Sequence, residues 1–120
     1  MINPPRRHVI CVVAAGGALG AGARYGVVTA WPDVWATVAV NIAGCLLIGV
    51  ILGWLSRRPD AHPLLRPFLA TGVCGGFTTF STFAVQTLEL GGVAALAYVA
   101  ATVTGALGAV WLGLIIGQRS

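Results

Sequence analysis

The chain has 120 residues, 58% hydrophobic and 8% charged, with a formal net charge of +4. A soluble domain carries about 25% charged residues, so a water-exposed globule is excluded, whereas lipid needs no such polar covering. The seven basic residues are all arginines flanking apolar runs, which argues against a nucleic-acid partner.

Four apolar stretches, at roughly 9–30, 34–55, 67–89 and 91–117, each come near the ~20 residues of a membrane-spanning helix. They lack the alternation of barrel strands. The predicted fold class is therefore an all-α integral membrane protein, one four-span domain over residues 1–120.

In the first span, Arg6-Arg7, the apolar run Val9–Ala15 and Ala21-Gly22-Ala23 imitate a signal peptide. Three further spans argue against that reading. Gly16 and Gly20 form a GxxxG surface for close helix packing. Arg24, towards the far end, needs carbonyls, a partner or water, or else reaches the interface. A structural anchor is expected there, with direct ion contact as the alternative. Trp31-Pro32-Asp33 closes the span.

In the second span Thr37 and Asn41 stand four apart and share a face. A threonine hydroxyl can bond its own helix. The asparagine amide offers two donors that the helix cannot satisfy, so it serves either as helix-to-helix glue or as a donor facing a polar pathway. Gly49 and Gly53 repeat the GxxxG, and Ser56 to Pro63 forms the longest polar connection.

The third span contains Gly72-Val73-Cys74-Gly75-Gly76-Phe77-Thr78-Thr79-Phe80-Ser81-Thr82-Phe83. Each glycine costs about 1 kcal/mol against alanine inside a helix. Gly75-Gly76 followed by four hydroxyl residues predicts a helix broken at mid-membrane. Unwound backbone is tolerated there only when buried or lining a cavity. Its free carbonyls can hold a hard cation such as Na⁺, and its free amides and helix N-terminus favour an anion. Phe80 and Phe83 fall on one side of the helix, and the positive ring edge can face an anion.

Gly91-Gly92 marks a tight turn. The fourth span carries a small-residue ladder, Ala97, Ala101, Gly105, Ala109, Gly113 and Gly117. Tyr98 and Thr102 share a face and either extend a polar track or serve as interfacial tyrosine and back-bonded threonine. Cys11, Cys45 and Cys74 read as small buried side chains. His8 and His62 are isolated, without metal-ligand spacing. No Asp or Glu lies at mid-membrane, where a proton relay would need one.

Both termini and the central loop share one side in a four-span chain. That side holds Arg6, Arg7, Arg57, Arg58, Arg66 and Arg119, and the other holds Asp33 and Glu89. The positive-inside rule places both termini in the cytoplasm of a plasma-membrane protein.

Three patches, Gly16 to Tyr25, Thr37 to Gly44 and Gly72 to Phe83, occur in order on these spans. With them the chain resembles the fluoride-specific ion channels, the Fluc or CrcB family, over nearly its full length. The resemblance implies a channel and no enzyme: an antiparallel dimer with two fluoride pores, for passive fluoride efflux. It implies a structural, untransported Na⁺ at the dimer centre, on the backbone carbonyls of Gly75 and Thr78. Fluoride is expected to pass Asn41, Phe80 and Phe83, with Thr37, Ser81, Thr82, Tyr98 and Thr102 as further pathway candidates and Arg24 and Gly76 as structural residues. The chain departs from the family pattern at Ala36 (often Gly), at Ala84-Val85-Gln86 (commonly Ser-x-Glu) and at Thr102 (expected Ser).

Two other classes of similar size are a proton-coupled small multidrug exporter, which needs a first-helix carboxylate absent here, and a non-conducting assembly subunit. The one-sided arginines predict a fixed orientation and hence an oppositely oriented homologous partner, with a homodimer as the alternative.

Overall fold

Inside a bilayer the backbone has no water to bond, so each apolar run must satisfy its own amides and carbonyls, as a helix does. The computed structural model, which describes residues 3–120, is helical in this way. Helices α1 (Arg6–Ala30) and α2 (Val34–Ser56) form the first two spans. In the third span, α3 begins with π-helical turns over Pro67–Cys74 and continues as a single α-turn over Gly75–Phe77, and α4 (Ser81–Leu90) follows. Helix α5 (Gly92–Gln118) is the fourth span. Four segments, Arg6–Ala30, Val34–Ser56, Pro67–Leu90 and Gly92–Gln118, are long and apolar enough to cross a membrane. Helix α1 starts earlier than residue 9, where the apolar run begins, because Arg6, Arg7 and His8 continue its first turns.

Local chemistry sets the ends. Asp33 Oδ1 accepts the Trp35 amide at 3.0 Å and caps α2. Gly91 and Gly92 turn the chain into α5 with φ of 63° and 55°, which a side chain would oppose. At the other end of the bundle the Arg58 guanidinium sits 4.3 Å over the Trp54 ring, and Arg57 donates to the Gln118 carbonyl.

Small residues decide which helices meet. A Cβ on Gly16 or Gly20 would come inside 3.0 Å of the α3 backbone at Phe68 and Val73, and one on Gly76 would collide with Gly17. Gly49 and Gly53 of α2 meet Gly113 and Gly117 of α5 in the same way. Lipid gives helices little hydrophobic reason to associate, so this backbone-to-backbone approach supplies van der Waals contact instead. The result is two tight pairs, α1 with α3 and α2 with α5. Thr37, Val38, Val40, Asn41, Ala70, Cys74, Tyr98 and Thr102 are buried in the core. Leu19, Leu88, Val93, Leu96, Leu107 and Trp111 project outwards.

The break falls later than the glycine pair suggested. Gly75 is helical (φ −63°, ψ −38°), as is Gly76, and Phe77 ends the turn. Thr78 is extended (φ −83°, ψ 160°) and α4 resumes at Ser81. Gly76 is there to let Gly17 approach. What unwinds the chain is the set of competing hydrogen bonds at Thr78 and Thr79.

Candidate functional site

The unwound segment is held from three sides. Thr78 bonds backwards: its amide and its Oγ1 both donate to the Cys74 carbonyl at 3.0 Å, which closes α3. From α1, Arg24 Nε donates to the Gly76 carbonyl at 3.1 Å. From α2, Asn41 Oδ1 accepts the Thr79 amide at 2.8 Å while Asn41 Nδ2 donates to the Thr79 carbonyl at 3.0 Å. Thr79 presents a donor and an acceptor, so this pairing fixes which way the Asn41 amide faces. Thr79 Oγ1 then accepts the Thr82 amide at 3.3 Å and starts α4. A half-buried arginine and a buried asparagine thus satisfy backbone groups that a continuous helix would have paired.

Hollows flank Thr79 on both sides. One, of about 290 Å³, is lined by Arg24, Tyr25, Thr37, Thr79 and Thr82. Thr37 Oγ1 there is the buried side-chain polar atom without a hydrogen-bond partner among the described residues. The other, of about 370 Å³, is lined by Asn41, Thr78, Thr79, Phe80, Phe83 and Thr102. Asn41 has a second amide hydrogen beyond the one given to Thr79. Ser81 and Thr82 border a third, open hollow with Gln86 and Glu89.

The aromatic residues divide by burial. Phe80 is 79% exposed and projects from the bundle. Its ring centroid lies 5.9 Å from that of Phe83, which stacks on Tyr98 at 5.3 Å. Tyr98 is buried and donates to Gln86 Oε1 at 2.6 Å, and Thr102 Oγ1 donates to the Tyr98 carbonyl at 2.8 Å. The hydroxyl protons of Tyr98 and Thr102 therefore go to protein acceptors, while Thr37 and the Asn41 amide retain capacity.

Gly75 and Thr78 offer a different group. No described backbone or side-chain donor bonds their carbonyl oxygens, and Gly75 is exposed. Neutral carbonyl oxygens of this kind suit a hard cation, whereas no cluster of three His, Cys, Asp or Glu exists among the described residues.

Sequence reasoning reached Asn41, Arg24 and the third-span motif but missed two partners. The sequence marks Thr79 only as one hydroxyl of four, although its backbone is what Asn41 holds. Gln86 stands out only as a departure from the family pattern, although it accepts the Tyr98 hydrogen bond. The Asn41–Thr79 pair is separated by 38 residues, and no local pattern marks it.

Residues 11–114 match the family model described as CrcB-like protein, Camphor Resistance (CrcB). The chain belongs to the CrcB family. It is 46% identical over 123 residues to the fluoride-specific ion channel FluC of Paracoccus denitrificans, covering 93% of this chain and 96% of that one. It is 46% identical over 120 residues to the fluoride-specific ion channel FluC 1 of Streptomyces coelicolor, covering 92% of this chain and 78% of the relative. Identity reaches 60% over 78 residues with the fluoride-specific ion channel FluC 2 of Thermobifida fusca, covering 61% of this chain and 58% of that relative. With four membrane-length apolar helices, this CrcB chain is a multi-pass membrane protein. The three relatives are each named as a fluoride-specific ion channel.

Proposed function

We propose that this chain is one subunit of a passive, fluoride-selective channel that exports cytoplasmic fluoride across the plasma membrane. The observation that carries the reading is the Asn41 clamp on Thr79, which holds the chain open at membrane depth between two hollows. The named relatives support fluoride as the ion. The chemistry supports it as well. A small, strongly hydrated anion must exchange its water for donors. The free Asn41 hydrogen, the Thr37 hydroxyl and the Ser81 and Thr82 hydroxyls are the available set, with the ring edges of Phe80 and Phe83 beyond them. No carboxylate lies at mid-membrane to relay protons, which fits a passive path better than a proton-coupled exporter.

The functional unit is read as an antiparallel pair. The Asn41–Phe83 hollow opens to the outside of the bundle and Phe80 projects from it, so a second chain is needed to close the path. Gly75 and Thr78 give two carbonyls per chain, and two chains would surround a Na⁺ with four oxygens. The ion would supply a fixed positive charge between carbonyl dipoles and so hold the pair together. Six arginines on the side of the termini favour one orientation with cytoplasmic termini, hence an oppositely oriented homologous partner. The numbered names of relatives, FluC 1 and FluC 2, fit a system of two chains.

The test is fluoride efflux from liposomes holding this chain alone, the partner alone, or both. Fluoride release with both, without chloride release, supports the channel. Absence of fluoride release in every combination would leave a non-conducting assembly subunit.

A further inference from the structure

Cys45 and Cys74 both line one cavity of about 310 Å³ beside the break, with Gly44, Thr71, Gly75 and Thr78. Tight packing brings them there. A Cβ on Gly44 would collide with Thr78 Cγ2, so α2 touches the Thr78 side chain directly. Thr78 in turn bonds the Cys74 carbonyl through both its amide and its hydroxyl. Cys45 follows Gly44, and Cys74 stands one turn before Thr78. Cys74 is 2% exposed, while Cys45 is half-buried and also borders the Asn41–Phe83 hollow.

We infer that Cys45 and Cys74 form a two-thiol site for a soft, two-coordinate d¹⁰ cation, tying α2 to the helix break. Thiolates select soft cations over hard ones. Among the described residues no third Cys, His, Asp or Glu joins them, so four-coordinate zinc lacks ligands while a linear dithiolate ion does not. At roughly 2.3 Å per metal–sulfur bond the sulfurs need stand only about 4.6 Å apart. Each thiol loses its proton as its bond to the metal forms. Two protons are released and nothing is oxidised or reduced. The bound cation sits next to the proposed anion path and bridges two elements that flank it.

The test uses mercuric ion as the probe, titrated into the purified full chain in detergent. Bound mercury is counted after exchange against excess 2-mercaptoethanol. The wild type retains one ion per chain. Cys45→Ser and Cys74→Ser each lower retention about a hundredfold, because the second thiolate acts at high effective concentration. Cys11→Ser, on the exposed surface of α1, leaves it unchanged. Should Cys74→Ser fail to fold, half-buried Cys45 decides alone. Unchanged retention in Cys45→Ser, loss in Cys11→Ser, or no retention by the wild type overturns the site. This readout does not depend on fluoride flux. Retention by a chain that conducts nothing leaves the thiol site standing, and flux without retention removes only the thiol site.

Discussion

Asn41 stands in for a missing peptide unit: its side-chain amide takes the Thr79 N–H at 2.8 Å and serves the Thr79 carbonyl at 3.0 Å. A backbone unwound in lipid lacks both partners, and each buried group left unpaired costs about 1–3 kcal/mol. One side chain therefore makes an irregular stretch tolerable at membrane depth.

Two replacements of Asn41 separate its clamp on Thr79 from the proposed ion contact. Asn41→Ala abandons both Thr79 groups, so its thermal stability in detergent falls by about 1–3 kcal/mol per group and fluoride efflux falls with it. Asn41→Asp keeps the acceptor for the Thr79 amide but loses the donor to the Thr79 carbonyl and puts a negative charge beside the proposed anion path. Its efflux falls further than its stability does. Equal flux in wild type and Asn41→Asp removes Asn41 from the path.

Glycines on α1 differ by what faces them. Gly20→Ala drives a methyl into the Val73 carbonyl and the Phe77 amide, backbone atoms that cannot swing away. Overpacking of this kind costs about 1–3 kcal/mol. Gly22→Ala meets nothing within 4 Å and removes a poor helix former, for a gain of about 1 kcal/mol. Thermal denaturation of the two variants should move in opposite directions.

Those two glycines also show what the sequence makes legible. Helix number, approximate ends and small-residue faces follow from period and composition, because lipid leaves few alternatives. The pairing of Gly16 with α3 and of Gly49 with α5 does not, since every span carries such a face. The break was readable as a region but misplaced. Gly75-Gly76 looked like the helix breaker by propensity, yet Gly76 answers a packing demand from Gly17. The unwinding is set by Thr78, Thr79 and Asn41, which a tertiary contact across 38 residues brings together. Gln86 stayed invisible as a partner for the same reason: Tyr98 reaches it from another helix.

Phe80 tests the proposed path without disturbing the fold of one chain. It is 79% exposed and its ring contact is with Phe83. Phe80→Ile should therefore leave the fold of a single chain within about 0.5 kcal/mol of wild type, as surface changes do, yet pass less fluoride in liposomes. Phe83→Ile also breaks the stack on Tyr98 at 5.3 Å, so it should lose both flux and stability.

Orientation is checked by reporters fused to the C-terminus, one active only in the cytoplasm and one only outside. Arg57, Arg58, Arg66 and Arg119 lie at the end shared with Arg6 and Arg7. Signal from the cytoplasmic reporter alone is expected. Comparable signal from both reporters indicates dual insertion, which a homodimer requires, and overturns the fixed orientation. Replacing Arg57, Arg58 and Arg66 together by Gln should shift the population towards both orientations.

Gly75→Ala asks whether something outside the chain sits on the break. Gly75 has ordinary helical dihedrals, and an added Cβ finds no atom within 4 Å. Within one chain the substitution is harmless and favours the helix, so insertion and secondary structure by circular dichroism should stay as in wild type. An oppositely oriented subunit and a Na⁺ on the Gly75 and Thr78 carbonyls would meet the new methyl. About 2 kcal/mol of overpacking at that contact weakens pairing about thirtyfold. Sedimentation in detergent, with Na⁺ and with a large organic cation in its place, reads this directly. In wild type the pair should loosen when Na⁺ is withdrawn, and in Gly75→Ala it should be loose in both. If Gly75→Ala pairs as tightly as wild type, no partner or cation covers this surface. The free carbonyls would then face lipid, where unpaired backbone is most costly, and that cost makes an occupant the expected result.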